Sequence, residues 1–173
     1  SKRVNRTTTF KMNPFREREH SETLEQGDAE LKPEFTDLTE LTFSKDFDSG
    51  NSFYATAYYR YTENLVNRVN RRYYDEIREV YADTVLDRVY SNVGRGQALG
   101  LDIGGNIKVT DKWRNLIGTN IYNYYIDGAF DGKKIDQQSF QYSIDVNSTY
   151  EFSERSSLEF NLSYLSKMVT AQG

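Results

Sequence analysis

The stretch that decides the fold is Gln138–Phe152, QSFQYSIDVNSTYEF. One parity holds Phe140, Tyr142, Ile144, Val146, Ser148, Tyr150 and Phe152, and the other holds Ser139, Gln141, Asp145, Asn147, Thr149 and Glu151. Successive side chains of a pleated strand point to opposite faces, so this is a strand with one apolar face; a helix would scatter the same residues around its axis. The pattern repeats at Ser157–Tyr164, with Leu158, Phe160, Leu162 and Tyr164 against Glu159, Asn161 and Ser163. It also repeats at Ala98–Val109, with Leu99, Leu101, Ile103, Ile107 and Val109 against Gly100, Asp102, Gly104, Asn106 and Lys108. Weaker copies precede these, at Phe35–Phe47 and Phe53–Tyr61. Leu116–Ile126 is rich in Tyr and Asn on both parities, so it reads as a strand without an assigned face.

The spacers order the strands. Asp48–Asn51, Thr110–Lys112 and Ser153–Arg155 are short polar turns of hairpin type. Between them lie longer connections: 10–34 with both prolines, the charged stretch 67–96, and 127–136 with Gly128 and Gly132. In an up-and-down meander, this alternation places every short turn at one rim and every long connection at the other. Outer-membrane barrels have that asymmetry, and their strands are longer than the five or so residues usual in globular proteins. The expected fold is therefore all-β: an antiparallel up-and-down meander of about seven long strands, a segment of a larger transmembrane β-barrel. A soluble all-β carbohydrate- or peptide-binding module is the alternative, and it predicts shorter strands and no alternation of loop length.

Composition fits this reading and closes other routes. The chain has 173 residues, with 14 Tyr, 10 Phe and 1 Trp but no Cys, and a net charge of −4. Lack of Cys excludes disulfides, thiolate metal sites and cysteine nucleophiles, and the acidic balance argues against a nucleic-acid partner. No run of about 18 apolar residues is present, so no transmembrane helix is expected; a membrane strand leaves hydropathy low and stays open.

Several boxes in order resemble a known family. Arg3-Val4-Asn5-Arg6 is similar to an Arg-x-x-Arg-Pro run, with Thr7 in place of proline, and Met12-Asn13-Pro14-Phe15 is similar to a Leu-Asn-Pro-Phe box. Gly27–Glu34 resembles Gly-Asn-Pro-x-Leu-x-Pro-Glu with Asp28 and Ala29 substituted, and Glu40-Leu41 matches the Glu-Leu that follows. Asn92-Val93-Gly94 and Gly100-Leu101-Asp102 resemble Asn-x-Gly and Gly-Leu-Glu steps. Together they resemble the C-terminal barrel of TonB-dependent outer-membrane receptors, in the outer membrane protein β-barrel family. The resemblance implies a partial barrel domain over 1–173, with plug domain, signal peptide and terminal strands outside it, since such transporters have about 22 strands. It implies residence in the outer membrane of a Gram-negative bacterium and import of a large nutrient (a glycan, a siderophore–metal complex or a cobalamin-like ligand). The implied partners are outer-membrane lipid, the TonB system through the plug, and an accessory surface lipoprotein.

No catalytic residue, metal ligand or cofactor is expected, and the chain does not read as an enzyme. Asp102, Asp145 and Glu159 share the polar parity of separate strands; a facing pair could support glycoside hydrolysis, but solvated lumen residues explain them more simply. His20 is the one histidine and has no second ligand at metal spacing. Within 67–96, Ile77, Val80, Tyr81, Thr84 and Val85 fit a helical stripe, whereas an extended hairpin that ends at Tyr73-Tyr74 and restarts near Val85 is favoured. Its six arginines and five acids nearly cancel, so it is no basic docking patch. Tyr73, Tyr74, Tyr81 and Tyr90 are the candidate ligand contacts, as a stacking surface at the mouth; an aromatic girdle at headgroup level is the competing and favoured role.

Overall fold

The computed structural model describes residues 1–20, 23–75 and 80–167, with the side chains of 20, 75 and 80–84 outside that description. The elements are β1 (Lys2–Asn5), α1 (Thr9–Met12), β2 (Glu17–His20), β3 (Thr23–Gln26), β4 (Glu34–Asp46), β5 (Ser52–Asp75), β6 (Val80–Thr110), β7 (Trp113–Phe130), β8 (Lys133–Ser153) and β9 (Ser156–Leu165). One sheet runs β1-β4-β5-β6-β7-β8-β9, all antiparallel, so the expected seven-strand meander is present. β1 has only four residues. β2 and β3 lie within the 10–34 connection, which carries no alternation of strand length.

The long connections turn out to be strand. β5 and β6 have 24 and 31 residues and pair out to Asp75↔Val80. At about 3.3 Å per residue β6 is roughly 100 Å long, several times what a bilayer core requires. The extended hairpin is therefore the observed form of 67–75 and 80–96, and it reaches further than expected, since Val80, Tyr81 and Thr84 lie on strand backbone rather than on a helix. Ile77 lies outside the described residues. The 127–136 connection is also hairpin: Phe130↔Lys133 closes it around Asp131 and Gly132, both with positive φ. What distinguishes the two rims is strand overshoot, because a backbone that leaves the body of the sheet still satisfies its amides best by continuing the ladder.

The 10–34 connection is folded onto that overshoot. β2 pairs with β3, and β3 runs parallel to β6 from Thr23↔Leu86 to Gln26↔Val89. It takes the edge of β6 that β7 leaves free beyond the Gly94↔Gly128 pair.

A bulge at that level swaps the two faces. Asn64 has φ 54° and Gly94 φ 137°, and the β5–β6 register shifts between Glu63 and Val66. A Cβ on Gly94 would strike the Asp127 carbonyl oxygen, and one on Gly128 the Val93 carbonyl oxygen, so the two strands touch backbone to backbone here. Below the bulge, the even residues Gly96–Gly104 share a face with Tyr124 and Ile126. Above it, the odd residues Val69, Val89 and Val93 pack with Ile126 and Ile135 into the buried cluster, joined by Leu65 and Tyr124. One face of the sheet is thus polar at one end and apolar at the other.

The opposite face, below the bulge, is an open apolar ladder. Leu41 is 78 % exposed, Leu99 and Phe140 are each 65 %, and Leu158, Phe160 and Leu162 are also exposed. No residue of this ladder is among the buried hydrophobics. The chain exposes 12353 Å², where a compact globular protein of its mass exposes about 8,700 Å².

Candidate functional site

The polar face below the bulge carries an open groove of about 790 Å³. Its polar lining comes from β5 to β9 and includes Tyr54, Asp102, Asn120, Ser143, Asp145 and Asn147. These residues converge because register places Asp102 beside Asn120, Asn120 beside Ser143, and Asp145 beside Gly118. Asn147 Nδ2 donates to Glu159 Oε1 at 2.7 Å and also to Asn161, and Ser163 donates to Asp145. Among the described residues no lysine or arginine lines the groove.

Tyrosines seated on glycines rise along the same face. A Cβ on Gly104 would lie 2.6 Å from Cε1 and Oη of Tyr54, and one on Gly100 would lie 2.5 Å from Cζ of Tyr58. Only a residue lacking Cβ lets the rings lie this close to the sheet. Hydrogen bonds hold them sideways: Tyr54 Oη donates to Asp102 at 3.2 Å and Tyr58 Oη to Asn120 at 3.0 Å. Tyr122 donates in turn to Gln141, which is buried. Sequence reasoning passed over this row, although glycine every fourth residue on the polar parity of β6, at 96, 100 and 104, was a visible signal.

The tyrosines chosen from the sequence all lie above the bulge. Tyr90 meets the edge of the Phe10 ring at 6.1 Å, with Lys11 5.7 Å from its centroid. Burial, and then the Glu25 carboxylate that it bonds, raise its phenol above the usual value. Tyr73 has the Arg16 guanidinium 5.1 Å over its ring. Tyr74 is 42 % exposed and opposes Tyr81, whose side chain lies outside the described residues. Tyr73 and Tyr90 therefore hold the 10–31 segment. Ion pairs reinforce that contact: Asp87, 1 % exposed, bonds Arg71 at 2.8 Å and faces Arg16 at 3.8 Å, and Arg88 bonds Glu19 at 2.7 Å. No period in the sequence marks Asp87, because the face swap moves it to the odd set.

Of the scattered carboxylates, Asp102 and Asp145 do reach one groove, whereas Glu159 is occupied by Asn147 and Asn161. His20 has its backbone in β2 and its side chain outside the description. Among the described residues no three metal-ligating side chains cluster.

An apolar ladder on one face and a polar groove on the other are the arrangement of a sheet with lipid on one side and water on the other. The comparison with known families agrees: a sequence profile described as the outer membrane protein beta-barrel family matches residues 1–173. No curated protein matches the chain. That match and the exposed ladder set aside the soluble module, and the chain belongs to the outer membrane protein β-barrel family and resides in the outer membrane.

Proposed function

We propose that this chain is part of the wall and outer rim of a TonB-dependent receptor that imports a large nutrient: a glycan, a siderophore–metal complex or a cobalamin-like ligand. The observation that carries the reading is the two-sided sheet: apolar residues face out over one strand height, and a wide polar groove faces in. The ordered resemblance of the boxes at 3–6, 12–15 and 27–34 supports the receptor branch. The partners on this reading are outer-membrane lipid, TonB acting through a plug domain, and a surface lipoprotein at the rim, with no nucleic acid and no catalytic step.

Lipid also bears on closure. Among the described residues, β1 with the stretch of β4 beyond it forms one open edge of the sheet and β9 the other, and an open edge is not tolerated in hydrocarbon. Both edges pair with further strands of a larger barrel on this reading. Immunoblotting of outer membranes for residues 67–96 should show a band well above 20.2 kDa that shifts on boiling. A band near that mass that does not shift would refute the larger barrel.

The import reading is tested in the source cell. A pool of glycans, ferric siderophores and corrinoids is offered to wild type, a deletion strain, and wild type treated with a proton uncoupler. One class should remain in the medium of both the deletion strain and the uncoupled cells. Uptake that survives the uncoupler would make the protein a passive pore, and equal depletion by all three would end the import reading.

A further inference from the structure

We propose that the 6–33 connection is a hinged strap that grips the free edge of the β5–β6 hairpin through charge, and that it lifts off as one unit when salt screens that grip. The inference concerns the rim alone and does not depend on what is imported.

The strap is bonded within itself and fixed at its feet. Gly27 N donates to the Asn13 carbonyl at 2.8 Å, Asp28 N to the Lys11 carbonyl at 2.9 Å, and Gln26 Nε2 to the Pro14 carbonyl at 2.9 Å. β2 pairs with β3 beside them, so the two arms hold each other. At the base, Asn5 pairs with Glu34. The Asn92 amide accepts from the Lys32 N–H at 2.8 Å and donates to the Lys32 carbonyl at 3.1 Å. Asn64, at the bulge, donates to the Pro33 carbonyl at 3.2 Å. These anchors place the hinge at the level of the bulge.

The grip on the hairpin is of another kind. Neighbouring residues of β6 point to opposite faces, and the strap straddles the edge to meet both. Arg16 faces Asp87 at 3.8 Å on one side. On the other, Arg88 donates to Glu19 at 2.7 Å and Arg68 lies 3.8 Å from Glu25. Phe10 and Lys11 meet the Tyr90 ring there as well. Among the described residues of the strap, only Leu24 and Leu31 are buried hydrophobics, so apolar burial adds little.

The contact is also incomplete. Among the described residues, the buried side-chain atoms without a hydrogen-bond partner are Thr7 Oγ1, Glu25 Oε1, Gln26 Oε1 and Asp87 Oδ1. Three belong to the strap and the fourth to the strand that it covers. A buried acceptor without a donor subtracts from what a contact gains, and water reaches it once the strap lifts. Elements that move are drawn from such low-stability contacts. The hold that remains is ionic, and the Debye length falls from about 10 Å at 0.1 M salt to about 3 Å at 1 M. Apolar packing does not loosen under the same change. Lifting the strap uncovers Asp87 and takes Glu19 and Glu25 away from Arg88 and Arg68, so a self-neutralised rim becomes a charged one.

The test is amide exchange, read by mass spectrometry, on the full-length protein in detergent at about 50 mM and about 1 M sodium chloride. Exchange at Thr23–Gln26 should rise roughly fivefold or more in high salt, while that at 66–72 of β5 stays within about twofold. Glu19→Gln should raise exchange at Thr23–Gln26 in low salt and shrink the salt effect. Thr23→Cys with Leu86→Cys joins two positions that face each other in register. Oxidation of that pair should abolish the salt effect, and a reductant should restore it. The proposal is overturned if salt leaves Thr23–Gln26 unchanged, or if the strap and 66–72 accelerate together. A salt effect that persists in the oxidised pair would overturn it equally.

Discussion

Below the bulge at Asn64 and Gly94, the sheet turns Leu99, Phe140 and Phe160 outward and Asp102, Asn120 and Asp145 inward; above it, Val69, Val89 and Val93 turn inward and are buried. The same two strands, β5 and β6, run through both regions. What changes is the solvent. In lipid the apolar face belongs outside and a hydrated lumen inside, whereas in water the apolar face must find protein, here the cluster with Ile126 and Ile135 and the adjacent 10–31 segment. A single irregular step lets one continuous hairpin obey both rules. The bulge is therefore the boundary between two environments as well as a bend.

The largest test removes that step. Gly128→Val places a side chain against the Val93 carbonyl at the tightest point between β6 and β7, and Gly94→Val adds left-handed backbone strain. Gly94→Val should cost roughly 4 kcal/mol, combining strain with overpacking, and Gly128→Val about 3 kcal/mol from overpacking alone. Urea unfolding in detergent should read this directly; a loss below about 1 kcal/mol would mean that the faces swap without the close approach.

Next comes the contrast in surroundings. Leu99→Arg puts a charge on the lipid face and should destabilise the folded barrel by about 2–4 kcal/mol in liposomes. Leu86→Arg, on the hairpin overshoot where Leu86 is 48 % exposed, should cost under about 0.5 kcal/mol. Equal costs at the two positions would erase the boundary.

A smaller effect is expected at the contact between the 10–31 segment and the hairpin. Asp87→Ala leaves Arg71 and Arg16 without their acid and should destabilise that contact by about 1–3 kcal/mol. Amide exchange at Thr23–Gln26 should accelerate while that of β8 stays unchanged.

The smallest concerns Asp136 near the β7–β8 tip. Lys134 bonds it at 2.8 Å and Tyr125 adds a second donor, and together they hold its carboxyl below the usual range. A lowered folded value means that the pair's stabilisation is present above the unfolded carboxyl value and is lost as pH falls through the folded one. The titration midpoint of Asp136, followed by NMR, should rise in Lys134→Ala. An unchanged midpoint would remove Lys134 as the cause.

Alternation in the sequence was enough to determine the strands 98–109, 138–152 and 157–164, the antiparallel meander and the presence of two unlike faces, because a period of two needs no partner to be read. The short turns at 48–51, 110–112 and 153–155 were equally plain, since turn chemistry is local. Tertiary structure alone decided the rest. The facing of β7 was illegible because tyrosine serves both faces, and pairing with β6 and β8 assigned it. β3 was hidden because a four-residue strand has too short a period to detect, and its parallel seat on β6 depends on where β7 departs. Asp87 and the tyrosines on glycine became neighbours only through register. Register is set by contacts between distant segments, and no local pattern records it.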